Sequence, residues 1–125
     1  CMRLALALSL LSFPAFAQSG VRDSDGLMNA NELKGLLSGQ IVEFFDGSKS
    51  RYSADGLYGY TYNDGGPVWR GTYLFQDDSQ VCVAFENGSA RCDTFVRDGT
   101  TVTLITTDGL RFPVRNITVD QPASP

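Results

Sequence analysis

Fourteen carboxylates, two lysines, three cysteines and no histidine are the groups from which this 125-residue chain could build chemistry. Without histidine there is no Ser-His-Asp or Cys-His nucleophile and no imidazole metal ligand. Carboxylate catalysis, a lysine nucleophile or plain binding remain. Glycosidase-type catalysis needs two carboxyl groups flanking a cleft. Most acids here fall in turn dipeptides instead, where bonding to the local backbone accounts for them. Glu43 is the one acid read as mid-strand between apolar neighbours, and an outward, solvated place suits it better than a general-acid role. Lys34 falls on a polar helix face and Lys49 in a turn, so neither reads as desolvated. No catalytic residue is assigned.

One stretch has partial metal-ligand spacing. With Gly26 at the sixth position of an EF-hand loop, Asp23 and Asp25 fall at three and five and Glu32 at twelve. Val21 then occupies the first ligand position, and the entering helix is missing. Capping of the following helix explains Glu32 without calcium. No metal and no cofactor are expected.

The aromatic residues carry a stronger pattern. Tyr58, Tyr60 and Tyr62 alternate onto one strand face, and Trp69, Tyr73 and Phe75 onto one face of the next. Across the Asp64-Gly65 turn these faces could adjoin, giving a strip with apolar bodies and hydrogen-bonding tips. Such a strip suits a ligand pocket, a sugar surface or a protein hot spot. It equally suits half of a core whose hydroxyls reach water at the rim. Tyr58, Tyr60, Tyr62 and Trp69 are the candidate ligand-binding residues.

The elements that must position this strip are legible from turn chemistry. Asp46-Gly47, Asp55-Gly56, Asp64-Gly65, Asp77-Asp78, Asn87-Gly88, Asp98-Gly99 and Asp108-Gly109 recur at nearly regular intervals. Pairs of this kind suit tight hairpins, and seven of them separate eight strand-length segments. The fold class is all-β: an eight-stranded antiparallel meander closing into a small barrel, or a sandwich with the same turns. The strands are placed at Ile41–Phe45, Lys49–Ser53, Leu57–Tyr62, Val68–Phe75, Gln80–Phe85, Ser89–Val96, Thr101–Thr107 and Leu110–Val119. Pro67 and Pro113 suit strand starts or edges. Before the strands, Asn29 reads as an N-cap with Glu32 as the reciprocal arm of a capping box. Leu33, Leu36 and Leu37 follow at helical spacing and Gly39 ends the segment. So short a helix must dock on the sheet, most simply as a plug across one barrel end.

Cys82 and Cys92 flank the Glu86-Asn87-Gly88 loop. Counting outward from Asn87 pairs Phe85 with Ser89, Ala84 with Ala90, Val83 with Arg91 and Cys82 with Cys92. The two sulfurs thus oppose each other, and a disulfide worth roughly 2–3 kcal/mol is expected in an oxidising compartment. Residues 1–17 read as a secretory leader: Arg3, the apolar run Leu4 to Phe13, and Ala15-Phe16-Ala17 as the cleavage site. Cleavage is expected after Ala17, with a periplasmic or extracellular bacterial address. No lipobox is present, and Cys1 ahead of Met2 is expected to be an artefact of the gene start. Residues 18–28 form a polar lead-in expected to be mobile, 29–120 a single domain and 121–125 a frayed tail. Net charge is −4, becoming −5 when Arg3 leaves with the leader. An acidic chain with scattered arginines argues against nucleic acid and against stable association with anionic membranes.

The layout Gly71-Thr72-Tyr73, then Cys82, then Cys92, after a leader and an ELKGLLSG helix, resembles small exported β proteins of Gram-negative bacteria. The resemblance implies a lipocalin-like barrel and brings no catalytic residue. Ser48 to Tyr52 (SKSRY) is faintly similar to the inhibitory loop of periplasmic lysozyme inhibitors, though without that loop's glycine. RGTYLF has a passing likeness to membrane-occupation repeats, but no regular repeat follows. The expected function is therefore non-enzymatic binding, of a small apolar or amphipathic ligand. The alternative is a protein-binding envelope factor such as an inhibitor of a hydrolase, and a carboxylate-based enzyme comes third.

Overall fold

In the computed structural model, which describes residues 20–120, every one of the seven turn pairs reverses the chain. The expected leader, Cys1 and the tail lie outside the described residues. The six turn glycines from Gly47 to Gly109 all take positive φ, and in the seventh turn Asp78 (φ 64°) and Ser79 (φ 62°) do so. Eight strands result: β1 (Gln40–Phe44), β2 (Lys49–Tyr52), β3 (Leu57–Thr61), β4 (Trp69–Gln76), β5 (Gln80–Phe85), β6 (Ala90–Asp98), β7 (Thr101–Ile105) and β8 (Arg111–Val119). Each pairs antiparallel with the next, and β8 returns to β1, so the sheet closes into a barrel rather than a sandwich. Closure removes most of the exposed edge that an open meander would leave, the β7–β8 ladder being only three rungs long.

Helix α1 (Ala30–Leu37) begins as its sequence dictates. The Asn29 side chain accepts from the Glu32 amide at 2.8 Å, and Glu32 accepts from the Asn29 amide at 3.1 Å. Two otherwise unpaired first-turn donors are satisfied by this exchange. Leu33 and Leu37 are completely buried, one turn apart on a single face, and close the end of the barrel where β1 begins. Gly39 carries the chain straight into β1, its amide bonded to the Tyr52 carbonyl at 2.7 Å.

The interior above this plug is filled. Tyr52 sits at its centre with the rings of Tyr58, Tyr73, Phe75 and Phe95 at 5.3, 5.2, 6.2 and 6.3 Å. Gly71 lies on β4 between Tyr58 of β3 and Phe85 of β5. A side chain there would strike the Ala84 backbone, and its absence lets Tyr58 and Phe85 meet edge to face at 5.8 Å.

One expectation is corrected here. The lead-in, read as mobile from its polarity, packs against the wall of the barrel. Gly26 exchanges backbone hydrogen bonds with Arg97, and the Met28 carbonyl accepts from the Ser79 amide. Asp25 receives two hydrogen bonds from Arg111, at 2.7 and 3.1 Å, and only 1% of its side chain is exposed. Arg111 reaches the Gly20 carbonyl as well. Strand β7 keeps its alternation but is covered on both faces. Thr103 and Ile105 are buried alongside Val102 and Leu104, and Gly20 lies against Ile105 on the outer face.

Candidate functional site: the open end of the barrel

With α1 across one end, the other is framed by the β1–β2, β3–β4, β5–β6 and β7–β8 turns. Hairpin register decides what points into it. Val83 faces the core, and Arg91 is its direct partner on β6, so Arg91 also points inward; Val81 places Asp93 in the same way. Arg91 Nε donates to Asp93 Oδ2 at 3.0 Å. The Arg91 guanidinium also lies over the Tyr60 ring, 5.7 Å from its centroid. Below this pair Ser50 Oγ and the Tyr58 hydroxyl share a hydrogen bond of 2.9 Å.

Burial dominates the electrostatics of this shaft. It pushes the Tyr58 hydroxyl up to about 12 and Tyr52 well above its ordinary value. Burial also raises Asp93, against the opposing pull of Arg91. Burial opposes the charge on Arg91, but the Coulombic pull of Asp93 and of the neighbouring tyrosine hydroxyls outweighs it. At the rim, the Ser48 hydroxyl and amide hold Asp46 below the usual carboxylate range. An acid held ionised in this way is poorly suited to donate a proton.

The four expected ligand residues separate by depth. Tyr58 is core, 3% exposed, bonded to Ser50 and packed on Tyr52 and Phe85. Tyr60 is half-buried and stands opposite Trp69 across the β3–β4 ladder, so the two tyrosine and tryptophan faces do adjoin. Tyr62 stands edge-on to Tyr60 at 4.9 Å and is 63% exposed; Trp69 is 45% exposed. Two hollows meet at Tyr60. One, of about 290 Å³, is walled by Phe44, Tyr62, Arg91, Leu104 and Phe112; the other, of about 350 Å³, runs along Trp69, Phe85, Asn87 and Arg91.

Arg91 and Asp93 were not foreseen among the site residues, although the turn count that opposed Cys82 to Cys92 also opposed Val83 to Arg91. The structure joins the two cysteines in a disulfide. Ser48 to Tyr52 forms no presented loop. Lys49–Tyr52 is strand β2, and Ser48, Ser50 and Tyr52 are 2%, 0% and 2% exposed, because their alternate positions face the core. Two of the three acids of the EF-hand-like stretch are engaged elsewhere, Asp25 by Arg111 and Glu32 by the helix cap. Among the described residues no three His, Cys, Asp or Glu side chains gather to hold a metal ion. No helix among them is long and apolar enough to cross a membrane, which says nothing of strands. No protein-family model, curated protein or solved structure matches the chain.

Proposed function

We propose that this is a non-enzymatic binding protein, lipocalin-like in its barrel, that takes a small amphipathic ligand at the open end. The observation that carries the reading is the inward Arg91, held between Tyr60 and Asp93 on the floor of an aromatic mouth. A guanidinium that gives one N–H to Asp93 has further donors to offer an acidic group. Tyr60, Tyr62, Trp69 and Phe112 would cover the apolar body. The filled interior limits the ligand to the mouth, so the site suits a molecule of a few hundred Å³ rather than a long chain. The disulfide suits an oxidising compartment, and with the leader-like residues 1–17 it supports export to the periplasm or medium.

The test is titration with anilinonaphthalene sulfonate, which joins an apolar aromatic body to an anion, followed through Trp69 fluorescence. Saturable binding is expected, and Tyr60→Ala should weaken it about tenfold, or roughly 1.4 kcal/mol, with an unchanged circular dichroism spectrum. Equal affinity of parent and variant would overturn the reading.

A second reading rests on the exposed apolar side chains at the same end. Phe45, Val68 and Leu110 are 67%, 46% and 57% exposed beside Tyr62 and Trp69, which suits a protein partner such as an envelope hydrolase. Phe45 and Val68 lie off the cavity walls. Changing both to Ser should spare the small-molecule titration and abolish any complex with such a partner.

A further inference from the structure

The barrel has two seams at its helix end, and the described residues fill only one. The β5–β6 ladder stops at Gln80 opposite Thr94. Beyond it, β6 is covered by the Ser79 carbonyl and by Gly26, which pairs with Arg97 as a short strand would. The β7–β8 ladder has three rungs and stops at Thr103 opposite Pro113. Pro113 has no N–H to continue it. Next to it Arg115 is the extra residue of a bulge, since Phe44 pairs with Val114 and Glu43 with Asn116. A bulge bends its strand and increases its local twist. From Val114 to Val119, β8 therefore pairs with β1 on one side and, among the described residues, has no ladder partner on the other. Thr101 and Val102 across the gap pair only with β6.

The gap is a groove of about 380 Å³, with Leu36 of α1, Val102, Val114 and Ile117 as its apolar wall and Arg97 and Arg115 beside it. We propose that this seam binds an extended, acidic segment of another protein, which adds as a strand along β8. Bare N–H and C=O groups supply the backbone affinity of strand addition, and alternate side chains supply its specificity. One face of such a segment would lie on the apolar wall. Its carboxylates on the other would meet Arg115, which is exposed, and Arg97, which is exposed and stands 3.8 Å from Glu32. Six residues of strand are about 20 Å long, so the partner segment is short. The site lies at the opposite end from the Tyr60 mouth and does not depend on it.

The probe is a fluorescein-labelled, end-blocked peptide of three Val-Glu repeats, followed by anisotropy, with amide exchange of Ile117 and Val119, whose N–H groups alternate away from β1, followed by NMR. Saturable binding and slowed exchange at those amides are expected. Arg115→Glu, an exposed change, should weaken binding about tenfold, N-methylation of the peptide backbone should abolish it, and Tyr60→Ala should leave it unchanged. Absence of saturation, equal binding of the Val-Lys peptide, unslowed exchange, or a dimer of the protein occupying the β8 edge would each overturn the proposal.

Discussion

Arg91 points into the barrel because the turn at Asn87-Gly88 fixes its partner as Val83, and side chains opposite each other share a face. The strand alternation that buries Val81 and Val83 thus draws an arginine and an aspartate inside with them. Removing the cation while leaving the Asp93 carboxylate, 7% exposed, should be costly. Arg91→Met is expected to destabilise the protein by about 2–3 kcal/mol in urea unfolding. That is below the roughly 3–5 kcal/mol of a fully buried pair, because 42% of the Arg91 side chain is exposed. Combining it with Asp93→Asn should recover part of the loss. A single variant within about 0.5 kcal/mol of the parent, as for an ordinary surface change, would show that the pair is solvated. Both residues were within reach of the sequence, since Cys82, Val83, Arg91 and Cys92 belong to one register count. What hid them was residue type: Arg91 and Asp93 read as solvated because charge is usually outside, whereas this pair is buried together. Tyr58 misled in the opposite way. It counts among the expected ligand residues with the rest of its row, but it follows the row's other reading, half of a core, because Gly71 opposite it opens space for Tyr58 inside.

Elements whose signals are local were legible nearly to the residue. The Asn29–Glu32 capping box, the glycine after α1 and the seven turns all follow from residues within three or four positions of one another. Segments whose place depends on distant partners were not. The lead-in carries no apolar periodicity, and what holds it is Arg111, Arg97 and Ser79, each more than fifty residues away. The flanking turns place the β2 segment as a strand, but the likeness of Ser48–Tyr52 to an inhibitory loop does not reveal that Ser48 and Ser50 face inward, bonded to Asp46 and Tyr58. At this scale the testable element is the β5–β6 hairpin. Its disulfide closes a separation of only 10 residues, and chain-entropy reasoning gives about 2–3 kcal/mol for a loop of that size. Replacing both cysteines by alanine should lower the melting temperature by about 10 °C or more. The register should survive, because the Asn87-Gly88 turn sets it without the sulfurs. Loss of less than about 2 °C would show that the reduced hairpin is already as constrained as the oxidised one.

The barrel as a whole is held by carboxylates whose environments push them in opposite directions, and this shapes its stability against pH. Asp25 is held below its ordinary value by the Arg111 hydrogen bonds, with burial opposing and the Arg22 amide adding to them. Asp46 is lowered by Ser48. For such groups the unfolded chain binds protons first, so their stabilisation is present above the unfolded value near 3.9 and is lost as pH falls through the folded one. Asp93 is raised, chiefly by burial. There the folded state holds the proton longer, so its contribution is complete below about 3.9 and is lost as pH rises through the folded value. The Asp93 contribution should therefore grow as pH falls from 7 toward about 3.9, and the Asp25 and Asp46 contributions should be lost as pH falls below about 3.9. The two limbs belong to different residues. Asp93→Asn should flatten the rise while leaving the acid decline. Asp25→Asn should remove part of the acid decline, the rest being that of Asp46, and cost about 1.5–3 kcal/mol at pH 7, the scale of a charged hydrogen bond. The Asp25 latch also joins the lead-in to β8, so the same variant should speed amide exchange at Gly26 and Met28, whose partners lie on β6 and in the β4–β5 turn. A urea series across pH 3–8 on the parent and both variants separates these outcomes. If stability fell monotonically from pH 7 downward in the parent, the Asp93 carboxylate would be better solvated than its place beneath Arg91 allows, and the inward register of β6 would be the assignment to give up.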